Sequence, residues 1–542
     1  MGKTDPKSKS TAAKTEVSGK VFERVFLPWM AVLIFLHLLT MYVAPAYMWG
    51  VHFYHFYPVW IGWLLTLATL AVLIPGVGES LYPKFEALAR RIRKPFDSLS
   101  QNKSFLLLSF ASLPIFWIFR NRLHLLGDGM FRITDLPEGR LHLQEWLDAF
   151  IHLVVYRVMV KLIPSWTPEF TYSIVSVLCG GTFVYLALKL SALLGKTGLG
   201  KVLIFFSLIS LGSIQLFFGY VESYSILQVA LLAYILFSAM YLMRRVNIFP
   251  ALVAFVISIG LHVTSLIFVP SFVYLLMRTD RGRSRKEGPA TKTKSKTLIL
   301  AGLILASCLV VFWVYIVASG LEKTGKGIFI LPLIATESYS FGMLSLAHIS
   351  EFANQLLLLS PLGISLMVFF LLFKIKHREF RDRLVNFLIL ATTFALVYLF
   401  AFNFTLGSAD WDLMSMPAPF IGLLGILLFL RWGERPTADR RPPSAAQGRS
   451  NADQLKTEKT SIIGSPAGKR FRAWGVIFIW FSVFHTVPWI MINAHNQRSL
   501  DRYLLIPENA PHPVDETGYN LYKIARILKG ARLEYELLGM YR

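Results

Sequence analysis

Cysteine is almost missing from this chain, with only Cys179 and Cys308 in 542 residues. Both fall inside apolar stretches, so no disulfide framework exists. No HExxH, CxxC or Walker-type glycine loop occurs either. Zinc hydrolysis and nucleoside-triphosphate chemistry are therefore without support. Charged residues are scarce, at 16%, and strand signals are negligible. The first 25 residues are polar and Lys-rich, without the short apolar core and small-residue cleavage site of a secretory leader. The first apolar run is long and aromatic, which reads as a retained anchor.

Apolar sequence is what the chain has in quantity. Hydrophobic residues make up 55% and the mean hydropathy is +0.53, far from a soluble globular composition. Stretches near the ~20-residue length of a membrane helix recur throughout. They predict about thirteen spans, at 26–47, 57–76, 104–119, 170–190, 202–219, 225–243, 249–261, 263–277, 298–319, 357–373, 386–403, 416–431 and 473–492. The expected fold is all-α and polytopic, with amphipathic surface helices in the outer loops.

The basic residues give this topology a direction. Segments 1–25, 77–103, 189–201, 244–248, 278–297, 374–385 and 431–472 hold 40 of the 55 Lys and Arg residues but 14 of the 32 acids. Net charge is +26 on that side and −3 on the other. Positive loops stay cytoplasmic, so the N-terminus is expected inside, in a bacterial inner or plasma membrane. The excess of +23 then describes topology and attraction to membrane lipids, not nucleic acid.

The chain divides into a basic tail (1–25), a hairpin with a basic loop (26–103), a membrane core (104–431), a flexible loop (432–472), a last span (473–492) and an outer tail (493–542). The core carries outer loops 120–169 and 320–356. In the first loop Leu143, Leu147, Phe150, Ile151 and Val154 recur at helical spacing, with Glu145, Asp148 and His152 pointing elsewhere. That pattern predicts a helix lying along the membrane surface. Segment 345–361 repeats the idea, with His348, Glu351 and Asn354 on a polar side.

Three acidic clusters fall on the outer side, each at or just past the end of an apolar run. They are Gly127-Asp128-Gly129, Tyr220-Val221-Glu222-Ser223 and Asp410-Trp411-Asp412. A charge so close to hydrocarbon needs a reason. Asp128 lies between glycines that allow a tight turn, with Arg120, Arg122, His124 and Arg132 nearby. That set suits deprotonation of a hydroxyl beside a held phosphate; the plain alternative is a turn Asp paired with a neighbouring Arg. Glu222, with Tyr224 after it, is either solvated in a short turn or directed into a cavity. Trp411 between Asp410 and Asp412 is the pattern of a sugar subsite, the ring covering the apolar sugar face while the acids take hydroxyls. The plain alternative is helix capping by the acids and interface anchoring by the ring. His262, His348 and His485 are each structural unless drawn into the site. Asn403-Phe404-Thr405 is a three-residue glycosylation match.

Taken together, the polytopic pattern, an Asp in an early outer loop and surface helices after it resemble the GT-C glycosyltransferases. These membrane enzymes take sugars from polyprenyl-phosphate carriers, and include protein mannosyltransferases and lipid A aminoarabinose transferases. The likeness runs from Gly127-Asp128 through Glu145 to about residue 277, and includes LHVTSLIFVPSFVYLL. It implies an inverting transferase with Asp128 as general base and Arg122 or Arg132 facing the leaving phosphate. Glu145, Glu222, Tyr224, His262, His348, Asp410, Trp411 and Asp412 then contact the substrate. The donor is a polyprenyl-phosphate sugar, and the acceptor a lipid, glycan or protein hydroxyl. A divalent cation is the candidate cofactor, which the residues do not require. Two additional spans, 26–47 and 57–76, stand ahead of the one after which the family places this loop, and LHLQE at 141–145 replaces its Pro-rich segment. The other expectation is a lipid or sugar transporter, which places charges near the bilayer midplane on broken helices.

Overall fold

The computed structural model describes residues 21–96, 98–277, 333–334, 342–373, 382–402, 411–433 and 466–509. Every element among them is a helix. In order they are α1 (Leu27–Leu39), α2 (Val59–Val72), α3 (Pro75–Arg93), α4 (Gln101–Ile118), α5 (Gly129–Glu138) and α6 (Trp146–Leu162). Next come α7 (Pro168–Leu194), α8 (Gly198–Ile209), α9 (Tyr224–Leu242), α10 (Phe249–Leu261), α11 (Val269–Met277) and α12 (Leu346–Leu359). The last are α13 (Pro361–Leu372), α14 (Arg383–Ala401), α15 (Ala418–Gly433), α16 (Pro466–Ala494) and α17 (Asn496–Asn509). Apolar sequence takes this form because a helix satisfies its own backbone polar groups where water cannot.

Six stretches are long and apolar enough to cross a membrane: Phe22–Leu39, Pro168–Leu194, Tyr224–Leu242, Arg383–Ala401, Leu413–Gly433 and Gly468–Ala494. Two bent pairs, Val59–Val72 with Gly76–Phe96 at 96° and Leu346–Leu359 with Pro361–Leu372 at 109°, raise the number to eight if each is one span. The chain is an all-α, polytopic protein of membrane type. Six to eight candidate spans are found among the described residues, where hydropathy reads about thirteen over the whole chain.

The difference has local causes. The run 202–219 breaks after Ile209 into a tight turn at Gly212–Phe217. There Gly212 lies against the Leu358 carbonyl, and Trp489 Nε1 donates to the Gly212 carbonyl at 3.0 Å. The break expected between 261 and 263 is present at His262, whose extended backbone ends α10 and whose ring accepts from Thr264 N. Pro361 opens α13 and cannot continue α12. The expected span 298–319 lies outside the described residues. So do residues 1–20, the loop 278–297, most of 432–472, the sequon at 403–405 and the tail from 510.

Helix α6 is built inside out. Leu143 before it and Trp146, Phe150, Val154, Val158 and Leu162 along it are exposed, whereas Glu145, Asp148 and His152 are buried. Such a helix is stable with its apolar stripe against lipid, and its polar side then faces the protein. Elsewhere small residues allow close contact. A Cβ on Gly425 would strike the Gly363 carbonyl, and one on Gly363 would lie 2.8 Å from the Gly422 Cα. Helices α13 and α15 touch through glycine, as membrane helices do.

Gly425→Ala should therefore push α13 and α15 apart and lose about 1–3 kcal/mol, read as a lower melting temperature in detergent. Gly76, with nothing within 4 Å of an added Cβ, is the control. Equal melting of the Gly425→Ala and Gly76→Ala variants would contradict the packing.

Candidate functional site

Four acids begin four helical elements at one end of the bundle. Asp128 precedes α5, Glu145 precedes α6, Glu222 stands two residues before α9, and Asp412 precedes the short turn Leu413–Ser415. An acid at a helix start ordinarily caps its free N–H groups. At Asp128, Glu145 and Asp412 no side-chain capping bond forms.

The chain path explains how they meet. The loop after α4 is tied to the turn before α9 by Asn121 N donating to the Phe218 carbonyl at 2.7 Å. Ser173 holds the Gly219 carbonyl at 3.1 Å, and Ser176 and Ser225 both donate to the Leu216 carbonyl. Gly127 (φ +68°) and Gly219 (φ +63°) take left-handed backbone where these segments cross. A Cβ on Gly127 would strike Asp412 Oδ2 and lie 2.7 Å from Glu222 Oε1. Gly129 meets the Val221 carbonyl in the same way, at 2.8 Å. The three acidic segments singled out in the sequence thus converge on Gly127. His124, also left-handed at φ +47°, supports the loop from below with Nε2 2.9 Å from Glu169 Oε1.

Arg132 lies at the centre of the charges. It is 6% exposed, its Nη1 pairs with Glu145 Oε1, and its Nε is 3.6 Å from Glu222 Oε2. Burial pushes the Glu145 carboxyl up, but Arg132, His262 and a bond from Ser223 outweigh it, so the group sits below its ordinary range. Glu222 goes the other way. Burial and the neighbouring Asp412 push its carboxyl well above 4.5, against the pull of Arg132. Asp148 is raised by burial, partly offset by His152. His152 Nδ1 lies 3.0 Å from Asp148 Oδ2, and its ring stacks on Tyr172 at 4.0 Å.

Of the plain alternatives weighed above, solvation of Glu222 is excluded, since it is 1% exposed. Trp411 is no interface anchor: it is fully buried, edge-on to Tyr220 at 5.5 Å and to Trp489 at 5.3 Å. Gln355 Nε2 donates to the Trp411 carbonyl, and Gln228 Nε2 to the Ser415 carbonyl and hydroxyl. These bonds pin the segment bearing Asp412. Tyr224 packs against His262 at 5.4 Å, and His262 Nδ1 is 2.5 Å from the Thr264 hydroxyl. Asp128 is half-buried and Arg122 exposed.

His348 is elsewhere. Its Nε2 donates to the Phe400 carbonyl at 2.7 Å, because the polar side of α12 is used for docking. Glu351 accepts from Trp49 Nε1 at 3.0 Å, and Asn354 bonds to Gly50 N and the Tyr47 carbonyl. Asp410 lies outside the described residues. Among those described, no three His, Cys, Asp or Glu side chains group to hold a metal ion. Trp489, in an ordinary apolar run, carries no local signal in the sequence, and Asp148 with His152 read only as the polar side of a surface helix.

Chemically, the arrangement offers a partly open carboxylate at Asp128 beside a buried carboxyl at Glu222, whose hold on a proton is strengthened by burial and Asp412, and a third acid at Asp412. Aromatic faces line one flank. This set accepts and donates hydrogen bonds to a polyhydroxyl ligand, and Asp128 is the acid exposed enough to take a proton. Compared with known proteins, the chain matches no family model, no curated protein and no solved structure.

Two outcomes follow. Gly127→Ala forces a Cβ onto two carboxylates at a left-handed position, so the variant should melt lower by about 1–3 kcal/mol; unchanged melting would mean the three segments do not meet. Glu222 gives a pH signature. The folded protein keeps the Glu222 proton where the unfolded chain has released it, so its contribution is present below about pH 4.5 and is lost as pH rises. Melting temperature should fall less steeply with rising pH in Glu222→Gln than in the wild type, and parallel curves would refute the assignment.

Proposed function

We propose that this chain is a membrane glycosyltransferase of the GT-C type. It moves a sugar from a polyprenyl-phosphate carrier to an acceptor hydroxyl at the non-cytoplasmic face, with its N-terminus in the cytoplasm. The observation that carries the reading is the meeting of Asp128, Glu222 and Asp412 around Gly127 at the ends of membrane-type helices. Carboxylates gathered there suit a lipid-anchored substrate whose reactive part is a sugar. An apolar groove of about 450 Å³, lined by Met367, Leu371, Leu396, Val397 and Phe400 among others, is in keeping with a polyprenyl tail.

In this reading Asp128 is the general base. It takes the proton of the acceptor hydroxyl as the acceptor oxygen attacks the anomeric carbon from the side opposite the phosphate. The bond from that carbon to the phosphate oxygen breaks, its electron pair leaves with the lipid phosphate, and configuration inverts. Glu222 and Asp412 orient sugar hydroxyls, and Tyr220 and Trp411 give the site its apolar wall. Arg132 serves differently from the sequence expectation. Two carboxylates already engage its guanidinium, so it fixes the acids and is not the phosphate's partner.

A transporter is the second reading, favoured by the 109° bend between α12 and α13. Beside that bend Ser207, Ser210, Ser360, Ser482 and His485 line a cavity of about 20 Å³. That volume admits about one water and no sugar or lipid, and the acids stand at the bundle end. The transferase reading is the better supported.

Asp128→Asn should lower transfer in proteoliposomes by roughly 10²–10⁴-fold while melting as the wild type does. Undiminished transfer would remove Asp128 as the base.

A further inference from the structure

Two arginines are buried among the described residues, Arg132 and Arg502, and they are treated oppositely. Arg132 has two carboxylates. Arg502, on the helix α17 that follows the last span, is 1% exposed, and no acid among the described residues forms an ion pair with it. Its Nε donates to His52 Nε2 at 3.0 Å. His52 can accept there because its Nδ1 donates to the Pro45 carbonyl at 2.8 Å. The guanidinium lies 4.5 Å over the Trp489 ring. Among the described residues, neither terminal nitrogen, Nη1 or Nη2, has a hydrogen-bond partner.

A buried guanidinium cannot shed its charge as a lysine can, and leaving it unpaired away from water is strongly unfavourable. Its held geometry makes the case more specific. His52 and Trp489 fix the plane, so the two outer nitrogens present a ready fork, the shape that binds phosphate oxygens in pairs. Burial draws Arg502 down to about 9, as expected of a cation lacking its counter-charge. Its location ties it to the acids. The Tyr220 hydroxyl is within electrostatic reach of Asp412, Glu222 and Arg502 alike, and Tyr220, Trp411 and Trp489 form one aromatic chain from the acids to the arginine.

We propose that Arg502 is the phosphate seat of this site, taking the phosphate of a membrane-embedded lipid whose polar headgroup extends past Tyr220 to the carboxylates. The site is then polar in the electrostatic sense, with acids for hydroxyls at one end and a cation for phosphate at the other. Identifying that phosphate with the sugar carrier rests on the transferase reading; the seat itself does not. The aromatic floor under the guanidinium belongs to the membrane helix α16, which favours a lipid phosphate over a soluble one.

The test is melting of the full chain in neutral detergent, with a short-chain polyprenyl monophosphate, the matching polyprenol, phosphatidylglycerol and inorganic phosphate as probes. The wild type should be stabilised by the polyprenyl monophosphate and not by the polyprenol. Arg502→Met should melt at or above the wild type without lipid, since the unpaired charge is gone, and should bind the monophosphate at least ~30-fold more weakly. Arg502→Lys keeps the charge but not the fork and should fall between them; it carries the test if the Met variant fails to fold. Equal stabilisation of wild type and either variant by the monophosphate would overturn the proposal, as would stabilisation by inorganic phosphate alone. Phosphatidylglycerol acting as well as the monophosphate would support the seat and assign it to a bulk lipid instead of the carrier. Intact lipid binding with no sugar transfer by the wild type would defeat the transferase reading and leave the seat standing.

Discussion

Arg132 holds Glu145 and Glu222 together at a place where water is excluded, and the end of the bundle is organised around that contact. The buried guanidinium pairs with Glu145 and lies 3.6 Å from Glu222, so it draws together two segments far apart in sequence. The loop bearing Asp128 is then held against the turn bearing Glu222. Gly127, lacking a Cβ, lets Asp412 approach from a third segment. Removing one partner from such a set leaves the others buried and uncompensated, which is far more costly than losing a surface pair. The charges here specify geometry more than they add stability.

The second constraint is lipid. Helix α6 turns its apolar stripe outward and its acids inward, the reverse of a helix on a soluble protein. That inversion brings Asp148, His152 and Glu145 to the interior side, where they join Arg132 and Tyr172. One amphipathic pattern therefore does two things: it fixes the helix at the membrane boundary and supplies the wall of a polar site beneath it.

Much of this was legible in the sequence, and the limits have physical reasons. Helical class and membrane character follow from composition, because no other backbone form satisfies itself in long apolar runs. Hydropathy reads 202–219 as one span, but the helix stops at Ile209 and Gly212 packs under the Leu358 carbonyl. That tertiary contact ends a helix without leaving the apolar run. The break read between 261 and 263 is where the structure has it. The acids at 128, 222 and 412 were visible because charge next to hydrocarbon is rare. Their burial was not visible, since a short turn reads the same whether it faces water or protein. His348 shows the opposite error. The resemblance put His348 at the substrate, but it bonds to the Phe400 carbonyl, while Glu351 and Asn354 beside it bond to the 47–50 segment. Arg502 had no signal at all, because an arginine in a tail is ordinary until the tail folds back.

In the proposed function the converging acids receive the sugar of a lipid-linked donor. The most direct measurement is a structure of the full chain in lipid with a non-transferable polyprenyl-phosphate sugar bound. The account predicts sugar hydroxyls within hydrogen-bond reach of Asp128, Glu222 and Asp412, with the anomeric carbon open to an acceptor beside Asp128. A sugar bound away from all three carboxylates, for instance at the bend between α12 and α13, would contradict it.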